Sequence, residues 1–341
     1  MQCARAFVTL TFLLFAVLPA PAAPQAAKPF VLVPYAEPQS SDPFAAGVSD
    51  DLTKGLTAQG VPFKTIDPIY HLEAVATAAK LCADNDARGL LVPEGRYQQT
   101  VKRTFAPFVG TITKYPTHAD FRLDVVGCDG TVRWSTTASN EQSRTGVSGI
   151  GLNNLGSVVD AAFRSAVADA TRSLSTATLP EDSPAAAPAA APPIASGVPA
   201  AASVTYLLVP VEQPGMADPS APDITHSMLV RLQQRKLDVK AGMPIDHLTA
   251  VADAQKLCSA SGTQAIVVPS VRIEQSSYSG RSHAQLVVTS LSCAGKILAR
   301  GVAESDIGHH SITNFSASAV DVAERAMDPA LDMLFPSTVS H

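Results

Sequence analysis

The sequence predicts an α/β (α+β) protein made of two tandem βαβαβββα modules, each a mixed sheet packed with helices. Three observations carry this. A stretch recurs at a shift of about 176 residues, without a gap from Leu32-Val33-Pro34 (again at Leu208-Val209-Pro210) to Val92-Pro93 (again at Val268-Pro269), with roughly a third of positions identical. Apolar runs of strand length alternate with helix-period segments inside each copy. An Ala/Pro/Ser tract at residues 177–203 has no core-forming periodicity and separates the copies as a disordered linker. The divisions are therefore a signal peptide at 1–22, a first module at 30–176, the linker at 177–203 and a second module at 204–336.

The first module reads in order. Phe30 to Val33 is a buried strand closed by Pro34. Asp42-Pro43 opens a helix with Phe44, Val48, Leu52 and Leu56 on one face, and Gly60 ends it. Phe63 to Ile66 is a second strand. Asp67-Pro68 starts a second helix, Asp as its cap, with Leu72, Val75, Ala79 and Cys82 inward. Leu90 to Tyr97 is strand three. From His118 to Val126, Phe121, Leu123 and Val125 point one way and Asp120, Arg122 and Asp124 the other. Asp129-Gly130 makes a tight turn into a strand at Val132 to Trp134. A glycine-bearing loop and a helix burying Val159, Ala162, Phe163, Ala166 and Ala170 complete the unit.

The second module repeats this order. Strand Leu207 to Val209, helices Asp223 to Arg235 and Pro244 to Cys258, and strand Ile266 to Val268 come first. Strands Ala284 to Leu291 and Lys296 to Ala299 turn at Ala294-Gly295. A closing helix starts near Ser316, with Pro329 expected to kink it or end it early.

Composition narrows the class. The chain has 341 residues, 46% of them hydrophobic and 16% charged, enough apolar mass for two small cores. A net charge of −5 gives no electrostatic reason to expect nucleic acid or an anionic membrane as partner. Cys3 and Arg5 precede an apolar run from Phe7 to Leu18, followed by the small residues Ala20-Pro21-Ala22. This reads as a cleaved secretory signal, too short to span a bilayer, and no cysteine follows the run as a lipoprotein box would need. No later stretch has spanning length, so the mature chain is expected in the periplasm or secreted.

Losing the signal removes one of five cysteines and leaves Cys82, Cys128, Cys258 and Cys293. Four cysteines allow three pairings. Each module carries one Cys before its Val-Pro strand and one before a Gly turn, so the expected bridges are Cys82–Cys128 and Cys258–Cys293. An oxidising compartment favours bridging over free thiols.

With this order in place, the module resembles the N-terminal domain of TolB and its relatives, including CsgG-like envelope proteins. The matching features are Val31-Leu32-Val33-Pro34, the helix from Ser49 to Leu56, the strand Leu90 to Gly95, and the amphipathic strand, Asp-Gly turn and Trp from Phe121 to Trp134. The second copy departs at Gly95, replaced by Val271, and at Trp134, replaced by Leu298. No propeller blades follow. The resemblance implies a domain that binds proteins or polymers of the cell envelope, with no catalysis and no cofactor.

Two features are candidates for binding. His71 and His247 are repeat partners at the start of the second helix, and His118 and His283 at the start of strand four, with His309-His310 at the same end. These imidazoles are a candidate metal site, but their spacing matches no ligand motif, and a packed or capping role is the simpler reading. The first module also has about eleven extra residues between strands three and four. There Lys102, Arg103, Phe105, Phe108, Lys114 and Tyr115 mix aromatic and basic groups on a long hairpin, and Lys102, Arg103, Phe105, Phe108 and Tyr115 are the expected partner-contact set. Gly146 to Gly156 lacks the Lys and the setting of a phosphate loop. Asp50-Asp51 and Lys80/Lys256 read as solvated helix positions. No nucleophile elbow, zinc-protease helix or Cys/His dyad is present. The expectation is an exported, non-enzymatic binding or scaffold protein whose partner is an envelope protein or cell-wall polymer, with a periplasmic metal-binding protein as the alternative. Its oligomeric state is not written in the sequence.

Overall fold

The computed structural model describes residues 27–38, 42–99, 102–106, 110–147, 156–177, 204–213, 218–276, 281–308 and 315–335. The signal segment, the linker, Phe108 and the His309-His310 pair lie outside them.

In the first module β1 (Phe30–Leu32), α1 (Ala45–Ala58), β2 (Phe63–Thr65), α2 (His71–Ala76), α3 (Ala78–Asn85), β3 (Gly89–Gln99), β4 (Lys102–Ala106), β5 (Gly110–Gly127), β6 (Val132–Val147) and α4 (Gly156–Thr176) follow one another. The second module has β7 (Thr205–Leu208), α5 (Ala221–Gln234), β8 (Asp238–Ala241), α6 (His247–Ala252), α7 (Ala254–Ser261), β9 (Ala265–Ser276), β10 (Arg281–Ser292), β11 (Ile297–Gly308) and α8 (Phe315–Leu334). The sheets are ordered β2-β1-β3-β5-β6, with β4 also on β5, and β8-β7-β9-β10-β11. The first three strands of each are parallel and the rest antiparallel. The two-module mixed-sheet architecture is as the sequence predicts.

The recurring Val-Pro has a backbone reason. Val33 N–H donates to Leu91 C=O and Val209 N–H to Val267 C=O, each at 2.9 Å, and these are the last bonds from the first strand to the third. Two residues on, Pro93 and Pro269 would aim an N–H at the same side, where the neighbour has already ended. A proline there removes no ladder bond.

Several boundaries shift for identifiable reasons. The second helix is broken at Thr77 and at Asp253, which changes its phase, so Ala78 rather than Ala79 is buried beside Cys82. It starts at His71, not at Asp67-Pro68, because the carboxylate of Glu37 accepts the His71 N–H from a distant loop at 2.9 Å. Only the second copy is capped by its own Asp, Asp246, which accepts from Thr249 N–H at 2.8 Å. Strand five runs on to Val147 as a full antiparallel partner of β5. Pro329 does not stop α8, which continues to Leu334. Its last turn is held by burial of Ala330 and Leu331 and by Asp328 and Asp332 against Arg235. Gly301 of β11 makes this contact possible, since a Cβ there would stand 1.9 Å from the Ala330 carbonyl.

Both tight turns are as read. Gly130 and Gly295 adopt φ of 79° and 74°, favoured for glycine alone. Each hairpin has its irregularity at the same place, Val125/Val126 and Ser290/Leu291. That register fixes the equivalence of later residues at about 165 rather than about 176. It puts Ala299 opposite Ser290 as Trp134 stands opposite Val125, so the counterpart of Trp134 is Ala299 and not Leu298.

The bridges Cys82–Cys128 and Cys258–Cys293 form as expected, with Cα separations of 5.8 and 5.7 Å. Each ties α3 or α7 to the end of the following hairpin.

The modules are stacked rather than strung out. Helices α1 and α4 cover one face of the first sheet through Leu52, Leu56, Phe121 and Phe163, and α5 with α8 covers the outer face of the second through Ile224, Met228, Leu286 and Met327. Between the sheets lies one continuous apolar layer. It takes Val31, Val33, Leu90 and Val92 from one sheet, Leu207, Val209, Ile266 and Val268 from the other, and the inner residues of α2, α3, α6 and α7. Both faces of the short first strands are therefore buried, which explains runs that are apolar throughout instead of alternating.

Two ion pairs cross the module boundary reciprocally. Arg96 reaches Asp218 at 3.7 Å and its repeat partner Arg272 reaches Asp42 at 3.3 Å. A residue touching its partner's counterpart in both directions is the mark of a two-fold interface, here within one chain. Cutting the linker by a protease site placed within 178–203 should leave the two modules co-eluting as one species in gel filtration. Separation into two monomeric peaks would show that the shared layer is not sufficient to hold them.

Candidate functional site

The two-fold arrangement is broken where the sheets face each other. Glu94, Arg122 and Asp124 of the first module correspond to Ser270, Val287 and Thr289 of the second. Alternation along β3 and β5 sends Glu94, Arg96, Asp120, Arg122 and Asp124 to the inner face. The polar half of the amphipathic strand is thus buried against the other module, not solvated: Asp124 is 0% exposed.

Arg122 organises this layer. Its Nε donates to both carboxylate oxygens of Asp124 at 3.1 and 2.8 Å, and Nη2 to Oδ1 at 3.0 Å. The same Nη2 stands 2.8 Å from Oδ2 of Asp246, the residue that caps α6, a charge contact across the boundary without the alignment of a hydrogen bond. Burial pushes the Asp124 carboxyl up to about 6, against the pull of Arg122. Burial likewise raises Glu94, with the charge of Asp246 adding to it. It lowers His247.

The direction of the Asp124 shift sets a pH dependence. Between an unfolded value near 4 and a folded value near 6 the folded state holds the extra proton. Stability from this group is present in full at the acid end and lost as pH rises through about 6, by up to about 3 kcal/mol. An NMR titration of the Asp124 carboxyl carbon should show a midpoint near 6. A midpoint in the ordinary range near 4 would contradict the buried environment.

Beside this layer a cavity of about 150 Å³ opens between the modules, lined by Glu37, His71, Glu94, Arg96, Arg272 and Gln213 among others. The sequence-predicted histidines divide here. His71 and His247 meet in the cavity wall, each with Nε2 against the carbonyl of the strand-ending proline: Pro34 at 3.0 Å and Pro210 at 2.9 Å. Those nitrogens donate their protons and are turned away from any metal. His118 lines the mouth and pairs with Asp120 at 2.9 Å, while His283 pairs with Asp306 at 3.1 Å. Among the described residues no three His, Cys, Asp or Glu groups converge as a metal site would require.

The insertion in the first module is a strand, not a loop tip. β4 pairs with the start of β5 from Lys102↔Lys114 to Ala106↔Gly110 and so prolongs the line of β3 past the body of the sheet. Phe105 is 76% exposed and Lys102 is exposed on this arm. Tyr115 is buried at the arm's base and so is not available for contact. The Arg103 backbone is part of β4.

Signals for the cleft were present but could be read only in space. Glu94 replaced by Ser270 is a charge lost between repeat partners, and Arg122 flanked by two Asp at strand spacing is a candidate buried network.

No family model matches the chain, and no curated protein matches it. Solved structures similar to it in fold include the PelC dodecamer from Paraburkholderia phytofirmans, at 16% identity and a TM-score of 0.25, covering 42% of this chain and 88% of that one. Lipoprotein GNA1162 from Neisseria meningitidis aligns at 16% identity and a TM-score of 0.28, over 40% of this chain and 99% of that one. A minor lipoprotein from Acinetobacter baumannii aligns at 14% identity and a TM-score of 0.23, over 45% of this chain and 90% of that one.

Proposed function

We propose that the chain is an exported, non-enzymatic envelope protein that binds a protein or a cell-wall polymer, the two modules serving as a rigid double scaffold. The observation that carries this reading is Phe105, 76% exposed on an arm that only the first module has. An exposed aromatic on a paired strand with a basic neighbour offers apolar area at little entropic cost, the composition of a contact site. Two disulfides, one per module, favour an oxidising compartment outside the cytoplasm. No helix among the described residues is long and apolar enough to cross a membrane.

Crosslinking in intact cells followed by capture of the tagged chain tests the reading. Phe105→Ser should reduce envelope-partner recovery about tenfold, the scale expected for one aromatic contact, with the melting temperature unchanged. Recovery equal to wild type would remove the arm from the binding surface.

A further inference from the structure

The cavity between the modules is walled in part by residues with unmet acceptors, and its two arginines are already engaged. Arg96 is held by Asp120 at 3.2 Å and by Asp218, and Arg272 by Asp42 while lying 4.8 Å above the Tyr35 ring. Two residues of the lining, Glu94 and Gln213, each carry a buried oxygen, Oε2 and Oε1, without a hydrogen-bond partner among the described residues. The space exists because of the broken two-fold: the counterpart of Glu94 is Ser270, whose short side chain leaves volume opposite a buried carboxylate.

From this geometry we infer that the cavity is a binding site for a small organic molecule bearing a protonated amine, with Glu94 as its counter-ion and Gln213 Oε1 as a second acceptor. An ammonium group has three donors and no acceptor, the complement of what the wall lacks. A neutral polyol would bring no positive charge to the buried carboxylate, and an anion would face it directly. A metal ion is the poorer fit, since the acceptors are dispersed over the wall and do not converge. A cavity of this volume admits about six non-hydrogen atoms, the size of a benzene ring. The penalty that burial places on the Glu94 carboxylate is relieved when the cation enters.

Thermal unfolding of the full chain with added ethanolamine, and with ethylene glycol and acetate at matched ionic strength, provides the test, with calorimetric titration of ethanolamine alongside. The expected result is a saturable rise in melting temperature and measurable heat with ethanolamine only. Glu94→Gln should weaken that response at least tenfold. Ser270→Met, which fills the space without touching the charge, should abolish it and serves as the second variant if Glu94→Gln is poorly folded. An equal rise with ethylene glycol, no response to ethanolamine, or an undiminished response in a folded variant would overturn the assignment.

Discussion

Replacing Arg122 by Ala is expected to cost about 3–5 kcal/mol of folding stability, the range found when one partner of a buried ion network is removed. The cost does not come from losing an attraction of that size. It comes from leaving Asp124, wholly buried, and Asp246, nearly so, without the cation that both face. Urea denaturation at pH 7 should therefore show a large drop in midpoint, and part of the loss should be recovered near pH 4, below the range in which Asp124 takes up its proton. Arg122→Met tests the cause more sharply when combined with Asp124→Leu and Asp246→Asn, because an apolar or neutral trio of similar volume should restore most of the stability. If Arg122→Ala alone unfolds with the wild-type midpoint, the network is not the buried element described above.

The second large effect is expected from the disulfides. The bridges close loops of 46 and 35 residues. In the chain-entropy treatment each contributes about 4 kcal/mol by restricting the unfolded chain. Cys82→Ala paired with Cys128→Ala, or Cys258→Ala paired with Cys293→Ala, should lower stability by about that amount, measured by denaturation of the oxidised protein. Both pairs removed together approach the whole stability of a typical domain, about 5–15 kcal/mol, so that variant should be largely unfolded at 37 °C. A reducing agent should reproduce the loss in the wild type. A protein insensitive to both treatments would mean that the shared layer between the modules carries far more of the stability than the bridges do.

The histidines show how a sequence signal can be sound and still mislead. Repeat partners at a helix start were legible as equivalent, and the structure brings His71 and His247 into one wall. Their shared job is to tie the helix start to the proline carbonyl at the end of the first strand. That contact spans two segments far apart in sequence, and only the fold pairs them. The aromatic arm is similar: the insertion is visible by aligning the copies, but Phe105 and Tyr115 fall on one face of the sheet, and which of them is exposed depends on what covers that stretch. Phe105 is out and Tyr115 is in because β4 continues the line of β3 while the base of β5 is covered.

What the sequence determined alone is everything local or repeated: two copies, the order of strands and helices in each, the turn glycines, and the bridges, since duplication restricts the pairings. Those features depend on backbone propensity and on apolar periodicity, which are written within short windows. The tertiary structure alone decided how the copies meet. Polar residues alternating along one strand read as a solvated face until a second sheet is laid against them, because burial is a property of the partner surface and not of the strand. The cleft, the Arg122 network and the unmatched Glu94 all arise from that meeting. They sit where the two copies have diverged, at positions that a comparison of the repeats can locate but whose shared space it cannot show.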